Sequence, residues 1–284
     1  MDRDALAHRL FGAAAGLSAA TAVIIFIFMA ALGYPIFAQG RFWQVLTGPW
    51  SPVHHHYGIK PMLVGTLCIS TLALIIAVPL SLGCAVFIRI TAPEGARRIV
   101  HKLVQLMTGI PTVIYGFVGI FLLVPLVRET FGHGSGLCIL SAGLMLSILV
   151  APTMILFFVD GLGAVPIAYC RAVSALGGTP IQRLLYVMIP HAWPTMLAGI
   201  VLGFGRAVGD TMIALMLAGN AVATPQSLLD PVRTLTAHIA LIIAADFDSL
   251  EFSSLFVCGL TLYGVTTVAV IIMRYFASRR EARR

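Results

Sequence analysis

The chain has 284 residues, of which 59% are hydrophobic and only 10% charged, and it carries a formal net charge of +7. Soluble domains carry about a quarter charged residues. The composition therefore excludes a soluble core, and the useful count becomes that of apolar runs of about 20 residues, long enough to cross a bilayer.

Six runs qualify, at 10–32, 62–88, 103–127, 137–159, 196–218 and 255–273. The first lacks a small-residue cleavage site and is longer than a signal-peptide core, so it reads as a retained span. Pro79 lies inside the second run, and Gly109 and Pro111 lie inside the third. Each proline is expected to bend its helix, because it removes a backbone donor and crowds the preceding turn.

Lysine and arginine collect on one side of this layout. With the N-terminus inside, 13 fall in cytoplasmic segments and 4 outside, namely Arg41, Lys60, Arg128 and Arg233. The positive-inside rule then places both termini in the cytoplasm. It puts Asp230, Asp246, Asp248 and Glu251 outside. The basic residues thus report topology rather than a nucleic-acid stripe. The five cysteines are scattered without ligand or disulfide spacing, and His54, His55 and His56 read as a solvated loop. No metal site is expected.

Two external connections are long. The segment 33–61 contains Trp43, Trp50 and Tyr57, which suit an interfacial belt. The segment 220–254 includes an apolar piece at 235–245, too short to span and suited to a helix over the mouth of a pore.

The cytoplasmic connection 161–195 carries its own structure. Pro166 suits the first turn of a helix and Gly177-Gly178 its end. Thr179 reads as an N-cap, Pro180 as the first helical residue, and Gln182 completes a capping box. The second helix is expected to stop before Pro190. A structured loop of this length implies a cytoplasmic partner.

The stretch 196–219 reads as one membrane-spanning helix with Arg206 and Asp210 near its middle. A charge at that depth costs about 2.5–3.5 kcal/mol on insertion scales. Four residues apart on a helix, the two would share a face and touch. One reading is a substrate site, since arginine's planar fork suits phosphate and keeps its charge at every relevant pH. The other is a structural ion pair. The pairs Gly199/Gly203 and Gly205/Gly209 read as close-packing surfaces between helices.

The loop also carries a family resemblance. Ala172-Val173-Ser174-Ala175-Leu176-Gly177, followed by Ile189-Pro190, resembles the cytoplasmic signature of ABC importer permeases, with Arg171 where the family places Glu. Ile76-Ala77-Val78-Pro79-Leu80-Ser81-Leu82-Gly83 and Gly109-Ile110-Pro111-Thr112-Val113-Ile114-Tyr115-Gly116 resemble spans of the phosphate-type permeases. Gly205-Arg206-Ala207-Val208-Gly209-Asp210-Thr211-Met212 is similar to that group's Gly-Arg-Ala-x-Gly-Glu-Thr-Met signature, with Asp210 in place of Glu. The segment from Tyr57-Gly58 to Gly65-Thr66 resembles the PstC type of the PstC/PstA permease family.

The resemblance implies an all-α integral membrane protein with the type I ABC importer permease fold, located in the bacterial cytoplasmic membrane. It implies a second, PstA-like permease subunit, two ATPase subunits holding ATP and magnesium, and an external phosphate-binding protein. It assigns Arg171, Ala172, Gly177, Ile189 and Pro190 to ATPase coupling. No Gly-x-x-x-x-Gly-Lys-Ser/Thr loop occurs, so ATP hydrolysis is expected in a partner and no cofactor in this chain. The expected organisation is residues 1–61 as the first span and external loop, 62–274 as the permease core with the coupling loop 161–195, and 275–284 as a basic tail. Another oxyanion on the same architecture, or a stand-alone anion channel, remains open at this point.

Overall fold

The computed structural model describes residues 3–243 and 249–281. Nearly all of the ordered structure is helical, and six helical stretches are long and apolar enough to cross a membrane. Asp246 and Asp248, the end of the 235–245 piece and residues 282–284 of the tail lie outside the described residues.

Helix α1 (Arg3–Ala38) opens the chain, and the short α2 (Phe42–Thr47) follows. A small antiparallel hairpin, β1 (Trp50–Ser51) with β2 (His56–Tyr57), pairs Trp50 with Tyr57. Helix α3 (Lys60–Val86) runs through Pro79 and ends in a π turn at Phe87–Thr91. Helix α4 (Glu94–Thr108) is strongly amphipathic and lies before the third span.

The third span differs from its expectation. Pro111 predicts a bend inside 103–127, and the helix instead stops. Gly109 caps α4, and Pro111, at φ −60 and ψ 141, starts α5 (Thr112–Val118). Proline at a helix start loses no hydrogen bond, whereas inside a helix it loses one. A π turn at Gly119–Leu123 then leads into α6 (Val124–Phe131).

Helix α7 (Ile139–Gly163) is the centre of the molecule. Its apolar window is 72% buried, against 0% for α1. It is hydrophobic all round, as a helix enclosed on every side must be. It packs against α3 through Ala73, Ala77, Leu146 and Leu149, all at or near full burial. The Ser81 hydroxyl crosses from α3 to donate to the Ala151 carbonyl at 3.3 Å.

Helix α8 (Ile167–Ala175) and α9 (Pro180–Arg183) form the structured connection. The chain then passes through a π turn, Leu184–Met188, into α10 (Ile189–Gly209) without a stop at Pro190. Pro190 sits in the first turn of α10, where its missing N–H costs little. Helix α11 (Met212–Leu217), α12 (Leu235–Ile242) and α13 (Leu250–Glu281) complete the fold. A second cluster of buried residues, including Ile36, Trp50, Ile59, Met62, Leu235 and Val257, ties α1, the hairpin, α3, α12 and α13 together.

Candidate functional site: a broken, charged span

The fifth span is not one helix. Helix α10 ends at Gly209, and Asp210 takes an extended conformation, φ −70 and ψ 130. Helix α11 begins two residues later. The Asp210 carboxylate accepts from the Ile213 N–H at 2.8 Å, the bond of an N-cap aspartate. The Asp210 carbonyl accepts from the Thr236 hydroxyl at 2.7 Å. One donor and one acceptor freed at the break are thus satisfied, as a discontinuous helix inside a bilayer requires of each such group.

The break overturns the shared helical face of Arg206 and Asp210. Arg206 lies within α10 and Asp210 beyond its end. Among the described residues no ion pair within 4.0 Å joins them. The Arg206 guanidinium instead donates to the Thr153 hydroxyl on α7 at 3.3 Å, its single hydrogen bond among the described residues. Thr153 was missed from sequence. No local signal joins residues 53 positions apart.

The four glycines divide into two kinds. A Cβ at Gly199 would meet Phe157 Cβ at 2.6 Å, and one at Gly203 would meet Met154 Cε at 2.5 Å. These two do allow α10 to approach α7 closely. Gly205 and Gly209 meet nothing within 4 Å. They do not pack against this chain, and they leave open space beside Arg206.

Helix α12 holds the break from a separate segment of the chain. The Thr234 hydroxyl caps α12 by accepting from the Ala237 N–H at 3.1 Å. The Leu235 N–H donates to Thr66 Oγ1 on α3 at 2.9 Å. The Val232 N–H donates to the Ala218 carbonyl at 2.7 Å, just past α11. Within α12, His238 is fully buried with its ring edge-on to Trp50, centroids 4.3 Å apart. Burial, reinforced by the nearby Arg233 charge, pushes the His238 imidazole down to about 4. The Asp230 carboxylate, in the connection between α11 and α12, accepts from the Gln226 and Ser227 N–H groups, which hold it below its usual range.

At the other end, the α8–α9 corner has the expected chemistry. Gly177 sits at φ +75, where a side chain is strained. The Thr179 N–H donates to Gln182 Oε1 at 2.8 Å, and the Gln182 N–H donates to Thr179 Oγ1 at 3.2 Å. Arg171, Ala172 and Gly177 are exposed, while Ile189 and Pro190 are half-buried at the start of α10. Leu176, 88% exposed, stands with Ile181, Leu185 and Tyr186 as apolar side chains facing outward. Among the described residues no group of three His, Cys, Asp or Glu side chains is placed to hold a metal.

Six spans, a discontinuous charged helix and an exposed helical corner joined to it define a multi-pass membrane permease. Residues 77–282 match the family described as binding-protein-dependent transport system inner membrane component. The chain belongs to that family and is the membrane subunit of an ABC importer. It is 32% identical to the probable ABC transporter permease protein YqgH of Bacillus subtilis, over 82% of this chain and 76% of that one. It is 33% identical to the phosphate transport system permease protein PstC of Pasteurella multocida, over 92% and 89%. Among solved structures, a bacterial alginate ABC transporter chain shares the fold at a TM-score of 0.60 and 15% identity, covering 93% of this chain and 94% of that one.

Proposed function

We propose that the chain carries inorganic phosphate inward across the bacterial cytoplasmic membrane, with Arg206 in the path. One observation carries the reading. Arg206 has no carboxylate partner within 4.0 Å among the described residues, and its one hydrogen bond goes to Thr153. Gly205 and Gly209, close to it in sequence, have nothing within 4 Å of where a side chain would begin. A planar guanidinium with free donors suits a tetrahedral oxyanion. The similarity to phosphate permeases supports phosphate as that anion.

Asp210 keeps the site weak. Its charge offsets part of the Arg206 field without occupying the guanidinium, so an anion binds and still leaves. Both termini lie in the cytoplasm in this reading, in line with the 13 to 4 distribution of basic residues. The exposed α8–α9 corner then docks an ATPase subunit that holds ATP and magnesium. Its movement passes along the helical stretch 180–209, which is continuous up to the Asp210 break. A second, PstA-like permease completes the path, and an external phosphate-binding protein delivers the anion.

The test is ATP-dependent uptake of labelled phosphate by the co-expressed complex. Arg206→Gln abolishes uptake while Arg206→Lys retains a fraction, and excess sulfate competes poorly. Wild-type uptake by an assembled Arg206→Gln complex would remove Arg206 from the path. Equal competition by sulfate would overturn phosphate as the substrate.

A further inference from the structure

At the end of the bundle that carries the α8–α9 connection, a second basic site stands apart from Arg206. A cavity of about 260 Å³ lies between the end of α3, helix α4 and the end of α7. Arg89, Arg97, Arg98 and His101 line it, with Asp160 as the one carboxylate. Arg89 is half-buried and anchored, with its Nε donating to the Val159 carbonyl at 3.2 Å. Its guanidinium lies over Gly163, where any side chain would collide with it. Arg98 pairs with Glu94. Among the described residues, neither Arg89 nor Arg97 forms an ion pair, with Asp160 or with any other carboxylate. Three guanidinium groups thus face one cavity holding one unpaired carboxylate.

The depth of this cavity selects the anion. The span Lys60–Thr91 has 32 residues, which at 1.5 Å per residue is about 48 Å of helix. That exceeds the roughly 40–45 Å of a bilayer including its headgroups. Arg89 in the last turn therefore lies at headgroup level. Helix α4 has a matching form: Ile99, Leu103 and Leu106 are exposed and apolar, while Arg97, Arg98, His101 and Lys102 lie on its polar side. Such a helix rests in the plane of the interface.

We propose that this cavity binds a phosphate group, held by Arg89 and Arg97 with Arg98 and His101 at its rim. Anionic lipid headgroups and soluble phosphate share that chemistry. The site does not depend on the role of Arg206.

The test uses the purified full chain carrying Arg206→Gln, so that the central arginine does not contribute. It is reconstituted in phosphatidylcholine nanodiscs with and without phosphatidylglycerol, and separately titrated with inorganic phosphate in phosphatidylcholine alone. Thermal midpoints and lipid retention in native mass spectrometry are read. A phosphatidylglycerol-dependent rise assigns the site to a lipid headgroup, and a rise with inorganic phosphate alone assigns it to a soluble anion. In either case the Arg97→Gln/Arg98→Gln pair weakens binding by about fivefold per arginine removed, and the Lys pair retains it. Both positions are exposed, and the single Arg97→Glu change gives a second, charge-reversing check. No shift with either ligand, or an unchanged shift in the Gln pair and in Arg97→Glu, overturns the proposal.

Discussion

The Thr236 hydroxyl donates to the Asp210 carbonyl at 2.7 Å, which binds helix α12 to the point where the fifth span breaks. A carbonyl released from a helix inside a membrane must find a donor, and here it comes from a residue 26 positions away. The geometry of the charged site is thus set partly from outside the span.

Replacing Thr236 by Val keeps the shape of the side chain and removes this donor. The loss is about 1–3 kcal/mol, the cost of leaving a buried carbonyl unpaired. The Thr236→Val protein should insert normally, melt earlier in detergent and take up phosphate more slowly. An unchanged melting temperature would show that the bond does not hold the break.

Asp210 has a capping role separable from its charge. Asn accepts the Ile213 N–H as aspartate does, whereas Ala removes the acceptor at a cost of about 1 kcal/mol. Asp210→Asn should therefore keep near-wild-type stability and Asp210→Ala should not. Equal stability of the two variants would argue against the cap.

The glycine pairs predict opposite outcomes. Gly199→Ala drives its methyl group into Phe157 and should destabilise the chain by about 1–3 kcal/mol, the usual cost of overpacking. Gly205→Ala meets nothing in this chain and should leave the melting temperature of the isolated subunit nearly unchanged. Circular-dichroism melts of the two purified variants would compare them directly.

His238 makes the α12 segment acid-sensitive. Its folded value, about 4, lies below the unfolded value of 6.5, so between these the unfolded chain takes up a proton that the native chain does not. Stability therefore falls as pH drops from 6.5 towards 4, by about 1.4 kcal/mol per pH unit and about 3 kcal/mol in total. Unfolding midpoints measured from pH 7.5 downward should show this slope in the wild type and lose it in His238→Gln.

The exposed corner gives a prediction of a different kind. Leu176→Glu changes a side chain that touches little in this chain, so folding should persist while co-purification of the ATPase subunit is lost. Gly177→Ala places a Cβ at φ +75 and should cost about 1–2 kcal/mol. Retained ATPase binding by Leu176→Glu would move the docking surface elsewhere.

Much of the layout was legible in residue order. Six apolar runs, the capping box at Thr179 and Gln182 and the glycine turn at Gly177 depend on neighbours within a few positions. They could therefore be read locally. One legible signal was missed. Gly209-Asp210-Thr211 is a helix stop followed by an N-cap, hidden inside a run apolar enough to read as continuous.

The amino-acid sequence by itself determined that the chain carries six stretches long and apolar enough to cross a membrane, and a structured corner before its charged span. Hydropathy and capping are local properties, so they survive without a fold. Tertiary structure alone decided that Arg206 meets Thr153 rather than Asp210, that Gly199 packs while Gly205 stays open, and that Arg89 and Arg97 share a cavity. Each of these depends on which helix lies opposite, and in lipid that choice follows from packing and from satisfying every backbone group across distant segments.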